Sequence, residues 1–426
     1  MNYEFSEEFA RALDKDDELA RFRKEFHFPQ LNGAPALYFT GNSLGLQPKG
    51  AREAILTELD DWAKYGVEGH FHARNPWYSY HERFTSQTAE LVGALPIEVV
   101  LMNGLSANLH FMMVSFFRPE GKRTKILCEK KAFPSDQYAI ESQLRFHGLD
   151  PIDHLIEIAA VDGEHLIKDQ DILDAILKHG NEIALILIGG VNYYTGQLFD
   201  MESITKVGHS VGAKVGFDLA HAAGNVPLKL HEWGPDFACW CSYKYLNSGP
   251  GSISGVFVHE RHAANEDLPR FAGWWGHDKS VRFKMEAGFK PIRGAEGWQL
   301  SNAPVFSMAI HKVSLDLFSE AGMENLRAKS LQLTAYLEYV INRVSKLGHN
   351  TKFEIITPAN PEKRGCQISM LVHGQGKPLF DRLTSKGVIT DWREPNVIRL
   401  APVPLYNSFE DIYRFGLALE ESTLNK

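Results

Sequence analysis

At 426 residues the chain is too long for one small core, and its length calls for two or three domains. With 44% hydrophobic and 23% charged residues it has an ordinary globular composition, and a formal net charge of −8 argues against a nucleic-acid binder, whose footprint is basic. No stretch approaches the roughly 20 apolar residues of a membrane span, and the acidic residues 1–24 lack the apolar stretch of a leader, which points to the cytoplasm.

Residues 6–26 read as a helix, followed by a Pro/Gly-rich passage to Pro48. A second helix is predicted over 49–65, where Ala51, Ile55, Leu59 and Trp62 recur in the rhythm of an amphipathic face. From about residue 75 to 255, helices at 80–92 and 106–117 are interleaved with apolar runs at 99–102, 125–128, 155–158, 184–188, 214–217, 237–241 and 253–258. Short, nearly continuous apolar strands separated by helices indicate an α/β fold with a mainly parallel sheet covered on both faces. Such sheets bind ligands at the carboxyl ends of their strands.

An irregular stretch rich in Trp, Gly and Arg, residues 261–303, leads into helices at 304–318 and 323–347. Strands at 353–356, 367–372 and 397–400 with helices at 378–386 and 408–419 then form a smaller α+β domain. The expected organisation is an amino-terminal segment, 1–70, contributing to the small domain and the substrate site; a large domain, 71–305; and a small domain, 306–426. The cysteines are Cys128, Cys239, Cys241 and Cys366. Only Cys239 and Cys241 share a strand face, and with no second cysteine pair nearby they read as buried thiols, not metal ligands.

The chemistry concentrates at two strand ends. Gly216-Phe217-Asp218-Leu219-Ala220-His221 ends one apolar run with an aspartate, and Cys239-Trp240-Cys241-Ser242-Tyr243-Lys244 places a lysine after another, before the turn Gly249-Pro250-Gly251. A lysine amine and a carboxylate on opposite sides of one site are what pyridoxal 5'-phosphate needs: an imine partner for its aldehyde, and an anion that keeps its ring nitrogen protonated. The phosphate needs N–H and O–H donors, which Asn103-Gly104-Leu105-Ser106 supplies between a strand and a helix. Phe133-Pro134-Ser135-Asp136 offers an aromatic face and a carboxyl, Tyr243 a phenol and His221 an imidazole. A substrate carboxylate suits the fork of Arg399, which lies in an apolar strand where an unpaired guanidinium is costly.

Each group also has a plainer reading. Lys244 reads equally as a surface lysine, Ser106 as an ordinary helix cap, Tyr243 as a core tyrosine and His221 as a structural histidine. Arg399 has Asp391 and Glu394 at hand as internal partners.

Seven segments in order resemble the kynureninase family: Gly41-Asn42-Ser43-Leu44-Gly45-Leu46, Phe133-Pro134-Ser135-Asp136, Tyr193-Tyr194-Thr195-Gly196, Gly216 to His221, Trp240 to Asn247, Arg282-Phe283-Lys284-Met285 and Arg399-Leu400-Ala401-Pro402-Val403-Pro404-Leu405-Tyr406. The resemblance covers nearly the whole chain. It implies the aspartate-aminotransferase-like fold, type I among pyridoxal phosphate enzymes, and a homodimer with sites at the subunit interface. It implies hydrolysis of L-kynurenine or 3-hydroxy-L-kynurenine to L-alanine and the matching anthranilate, in tryptophan breakdown or nicotinamide cofactor synthesis.

By that likeness Lys244 is the Schiff-base lysine, Asp218 the ring-nitrogen partner and Tyr243 a proton donor. Leu105, Ser106, Phe133, Pro134, Ser135, Asp136, His221 and Tyr243 line the cofactor. Trp274 reaches the phosphate from the other subunit, Asn302 lies near cofactor and substrate, and Ser43, His70 and Arg399 contact substrate. No membrane, nucleic acid or metal is expected. The alternative on the same scaffold is cysteine desulfuration, for which Cys366 is the one cysteine expected in a loop; a non-catalytic relative would have lost the lysine or the aspartate.

Overall fold

The computed structural model describes residues 2–31, 33–347, 351–374 and 376–424. Seven apolar runs become β1 (Val99–Leu101), β2 (Lys125–Glu129), β3 (Leu155–Ile158), β4 (Ile183–Gly189), β5 (Lys214–Asp218), β6 (Phe237–Cys241) and β7 (Ser254–Val258). They form one sheet in the order β1-β7-β6-β5-β4-β2-β3, in which only β7 runs against the others. The runs are continuous because both faces are buried. Leu127, Ile186, Phe217 and Trp240 enter one core, while Ile126, Cys128, Leu187 and Cys239 enter the other.

The helices used below are α1 (Glu7–Lys15), α2 (Ala51–Tyr65), α3 (Thr85–Val92), α4 (Leu105–Phe116), α5 (Pro134–Phe146), α6 (Val305–Ala321), α7 (Met323–Ser345), α8 (Gly376–Ser385) and α9 (Phe409–Leu424). A second, antiparallel sheet has the order β8 (Lys352–Ile355), β9 (Ile368–His373), β11 (Val397–Leu400), β10 (Asp391–Arg393). Its core joins Met370 and Ile398 to Leu337 and Ile341 of α7, Phe415 of α9, and Ala10, Leu37 and Phe39 from the start of the chain. Helix α7 begins in the large core at Leu326 and ends in this one.

The amino-terminal segment interlocks with the last hundred residues. Thr40 bridges Ala401, the Ala401 N–H donates to the Phe39 carbonyl at 2.8 Å, and Arg23 pairs with Asp411 at 2.6 Å. The same segment reaches the lysine turn, where the Gly45 N–H donates to the Tyr243 carbonyl at 2.8 Å. A Cβ on Gly45 would lie 2.4 Å from the Lys244 carbonyl and 2.3 Å from Asn247 Oδ1, so only glycine fits.

Three expectations need correction. The helix read over 6–26 stops at Lys15, because Asp17 turns in to accept the Leu19 N–H and to pair with buried Lys329 at 2.7 Å; a separate 3-10 turn, Ala20–Glu25, follows. The helix read over 80–92 is a 3-10 segment, Trp77–Phe84, followed by α3.

The third concerns α2, whose apolar stripe does not face the core: Leu59 is 39% and Trp62 57% exposed, while Glu58 and Asp61 are buried. Glu58 accepts from Asn75 Nδ2 (2.8 Å), Trp77 Nε1 (2.9 Å) and the Tyr80 hydroxyl (2.9 Å), and Asp61 accepts from the Arg74 backbone and side chain. Those bonds, not apolar spacing, choose the buried face.

Candidate active site

The carboxyl ends of β2, β4 and β5, the turn after β6, and the first turns of α4 and α5 enclose a cavity of about 280 Å³. Leu105, Ser106, Phe133, Ser135, Asp136, Asp218, His221, Tyr243 and Lys244 all line it. The lysine and the aspartate singled out from sequence therefore share one pocket.

At one end, Gly104 precedes α4 with no side-chain cap, leaving first-turn amides such as those of Leu105 and Ser106 available. The Ser106 and Ser135 hydroxyls meet there at 2.8 Å, the second at the start of α5, whose first residue is Pro134. Two helix N-termini and two hydroxyls suit a phosphate.

Lys244 is buried, and its ammonium donates to His221 Nε2 at 3.0 Å. That bond puts the imidazole proton on Nδ1, which has no partner among the described residues. Burial, with Lys244, Arg399 and Arg393 nearby, holds the His221 pKa far below its ordinary value, so the ring is neutral. The Phe133 ring lies 5.7 Å from the Lys244 amine and edge-on to Tyr193. Burial pushes the Tyr243 phenol up, aided by Cys241 and Asp218, so it stays protonated.

Three carboxyls share the pocket. Asp218 is buried, which raises its pKa, but it accepts the Ala220 N–H at 2.7 Å and lies near Lys244, both of which favour its charge. Burial raises Asp136 well above the carboxylate range, and Asp218 beside it raises it further, so the proton between them resides on Asp136. The third, Glu129, ends β2, and burial lifts it to about 7. Sequence reading missed it because the apolar run appeared to end at Cys128.

An amine, an anionic carboxylate and a phosphate-sized nest of donors, with an aromatic ring beside them, fit pyridoxal phosphate.

The remaining sequence-derived residues lie outside this wall. Ser43, Trp274 and Asn302 are exposed and His70 is half-buried. Asn302 lines a neighbouring cleft with Asn103, one residue before Gly104. His70 donates from Nδ1 to the Val67 carbonyl at 2.9 Å, leaving Nε2 without a partner among the described residues, and stands edge-on to Trp77, which Glu58 anchors. Arg399 is fully buried and bonded by one amino group to the Tyr193 carbonyl (2.6 Å) and by the other to Asp391; its Nε has no partner among the described residues. The internal carboxylate left open from sequence is thus present. Gln367 also holds the Tyr193 carbonyl, at 3.0 Å, and bonds Asn42, joining both domains to the amino-terminal segment.

Over all 426 residues, 57% are identical to a kynureninase of Flavobacterium psychrophilum, covering 100% of both chains. The chain belongs to the kynureninase family. The kynureninase of Myxococcus xanthus is 55% identical over 98% of this chain and 97% of its own, and the family's carboxy-terminal domain, described as "Kynureninase C-terminal domain", matches residues 326–419. Among solved structures, a cysteine desulfurase from Thermococcus onnurineus superposes with a TM-score of 0.76 at 18% identity, covering 95% of this chain and 98% of that one. A C-DES mutant with glycine covalently linked to its PLP cofactor gives 0.77 at 15%, covering 91% and 97%. The fold is thus that of the type I pyridoxal phosphate enzymes.

Because folding raises the Glu129 pKa from 4.5 to about 7, its contribution to stability is full below 4.5 and is lost as pH rises through about 7. Glu129→Gln removes that loss. The cofactor-free variant should gain in Tm over the parent as pH climbs across this window, measured by thermal melts, and a constant difference would refute the assignment.

Proposed function

We propose that the protein hydrolyses L-kynurenine and 3-hydroxy-L-kynurenine between the β and γ carbons, releasing L-alanine and anthranilate or 3-hydroxyanthranilate, with pyridoxal phosphate as cofactor. Full-length identity of 57% to a kynureninase carries this reading, and Lys244, Asp218 and the paired serines around one cavity support it.

When bound, pyridoxal phosphate supplies an electron sink that lets bonds at the amino-bearing carbon break heterolytically. The protein's own groups do the rest. Lys244 would hold the cofactor through its amine and, when free of it, would be placed to move the α-proton. Asp218 would keep the proton on the ring nitrogen, with Asp136 in support. Leu105, Ser106 and Ser135 would hold the phosphate; Phe133, at the helix start that Pro134 sets, would face the ring; neutral His221 accepts from Lys244 and so orients it. Tyr243, still protonated at neutral pH, is the proton donor for the later steps, with Lys244 as the alternative.

Arg399 receives the substrate carboxylate beside Asp391. Replacing its fork by a single ammonium, Arg399→Lys, should raise KM roughly tenfold to a hundredfold, with a smaller effect on kcat, as expected for losing charge-assisted hydrogen bonds of about 1.5–3 kcal/mol. An unchanged KM in steady-state assays would remove Arg399 from substrate binding.

The free Nε2 of His70 and the amide of Asn302 offer partners for a phenolic hydroxyl, and Ser43 lies beside the lysine turn. A site built to bond a hydroxyl discriminates against its absence. The kcat/KM for 3-hydroxykynurenine should therefore exceed that for kynurenine, and His70→Phe should cut the ratio by about tenfold. Equal ratios in the parent and the variant would refute this.

The protein works as a homodimer whose sites draw on both subunits. Trp62, Phe71, Trp274, Phe283 and Met285 are exposed apolar groups on α2, the short helix Gly69–His72 and the 261–303 stretch, more than a solitary surface needs. Trp274 would then reach the partner's phosphate. Mixed dimers of Lys244→Ala and Trp274→Ala subunits should recover activity that neither variant has alone; no recovery would place each site within one chain.

The desulfurase alternative lacks its acceptor. Cys366 is fully buried, its N–H is held by Asn225 Oδ1 at 2.9 Å, and burial pushes the thiol up to about 12. Assays of both kynurenines and of cysteine with purified protein decide the reading: aryl acid and alanine from the kynurenines uphold it, sulfide from cysteine overturns it. Among the described residues no helix is long and apolar enough to cross a membrane.

A further inference from the structure

Glu129 belongs to no motif that suggested the function, yet its carboxyl forms part of the cavity wall and is 4% exposed. It ends β2, and two places along the sheet Asp218 ends β5. The strand between them, β4, ends at Gly189, whose register partner is Asp218. With no side chain there, Glu129 leans over the central strand, and the Gly189 N–H faces both its oxygens at 3.2 and 3.3 Å. A Cβ on Gly189 would stand 3.0 Å from Glu129 Oε1, so the carboxyl would have to shift by a few tenths of an ångström. The bare backbone at position 189 leaves the carboxyl room to lie against it, on the side of Asp218.

Among the described residues Glu129 has no cationic partner; its carboxyl meets only backbone amides, that of Gly189 and its own. The titratable groups around it are Asp218, Asp136, Lys244, His221, Tyr193 and Tyr243 of the cavity wall and the Cys128 thiol beside it in the sheet. Strand β4 brings none, and on β3 its register partner is Ile158, with Glu157 opposite Cys128. Lys130 and Lys131 line the adjoining cleft instead. A buried carboxyl so placed keeps its proton until a positive charge arrives.

Resting on the reading of this cavity as the cofactor site, we propose that Glu129 is a positioning residue acting through Asp218: it is protonated in the free protein and gives that proton to solvent when a cationic ring nitrogen sits against Asp218, so that two carboxylates hold the ring charge. Its titration near neutrality, driven by burial and then by Asp218, is consistent with this role.

The test follows cofactor binding in the parent protein, Glu129→Gln and Gly189→Ala. Calorimetry in buffers of different ionisation enthalpy counts protons released, and cofactor labelled isotopically at its ring nitrogen reports that atom's protonation by NMR. Near neutral pH the parent should release more protons than Glu129→Gln. Cofactor dissociation should be roughly three- to tenfold weaker in Glu129→Gln at about pH 8 and nearly equal at about pH 6. Gly189→Ala, which keeps the carboxyl but displaces it, should shift both readouts the same way and stands in if Glu129→Gln does not fold. Equal proton release and parallel pH profiles in all three proteins would overturn the role of Glu129 alone. A parent protein that shows no visible cofactor band, or a Lys244→Ala variant that keeps one, would overturn the cofactor site itself.

Discussion

The structure depends on seating one ammonium group, that of Lys244, at the end of an otherwise apolar sheet. A buried cation is expensive unless neutralised and hydrogen-bonded. Here an imidazole accepts its proton and carboxyls surround it. Those carboxyls would repel one another if all were ionised, so burial keeps the proton on Asp136, lifts Glu129 to about 7 so that it is only partly ionised at neutral pH, and leaves charge on Asp218. The parallel strands make this possible by ending together, with Glu129 and Asp218 as the last residues of their strands.

The groups expected at the substrate come from elsewhere. His70 is carried by the segment after α2, Arg399 by the small domain's sheet and Asn302 by the loop before α6. The carbonyl of Tyr193 is the hinge of this arrangement, accepting from both Arg399 and Gln367 and so fixing the small domain against the wall of the cavity. Such division keeps the cavity wall on one sheet while the groups expected at the substrate come from three separate segments.

Sequence alone gave Lys244 and Asp218 their places because each follows a run of buried residues that had to end at the rim of a sheet. Ser106 and Phe133 were legible as a helix start and a turn, but their convergence was not, since nothing local brings α4 to α5. Glu129 escaped notice: followed by Lys130 and Lys131, it reads as part of a solvated charge cluster. The stripe on α2 misled because spacing reports which residues share a face, not whether a carboxylate on another face finds three donors. For Arg399 the sequence left a ligand and Asp391 both open, and only the fold shows the bond to Asp391.

The bridge between Thr40 and Ala401 carries a temporal implication. The lysine turn is braced by Gly45, and the backbone just before Gly45 is in turn braced by Ala401, far along the sequence. Contacts spanning nearly the whole sequence form late, after the central sheet has collapsed. A chain can therefore carry Lys244 and Asp218 and still have an unfinished pocket until these two distant segments meet, and cofactor capture becomes a report that they have met.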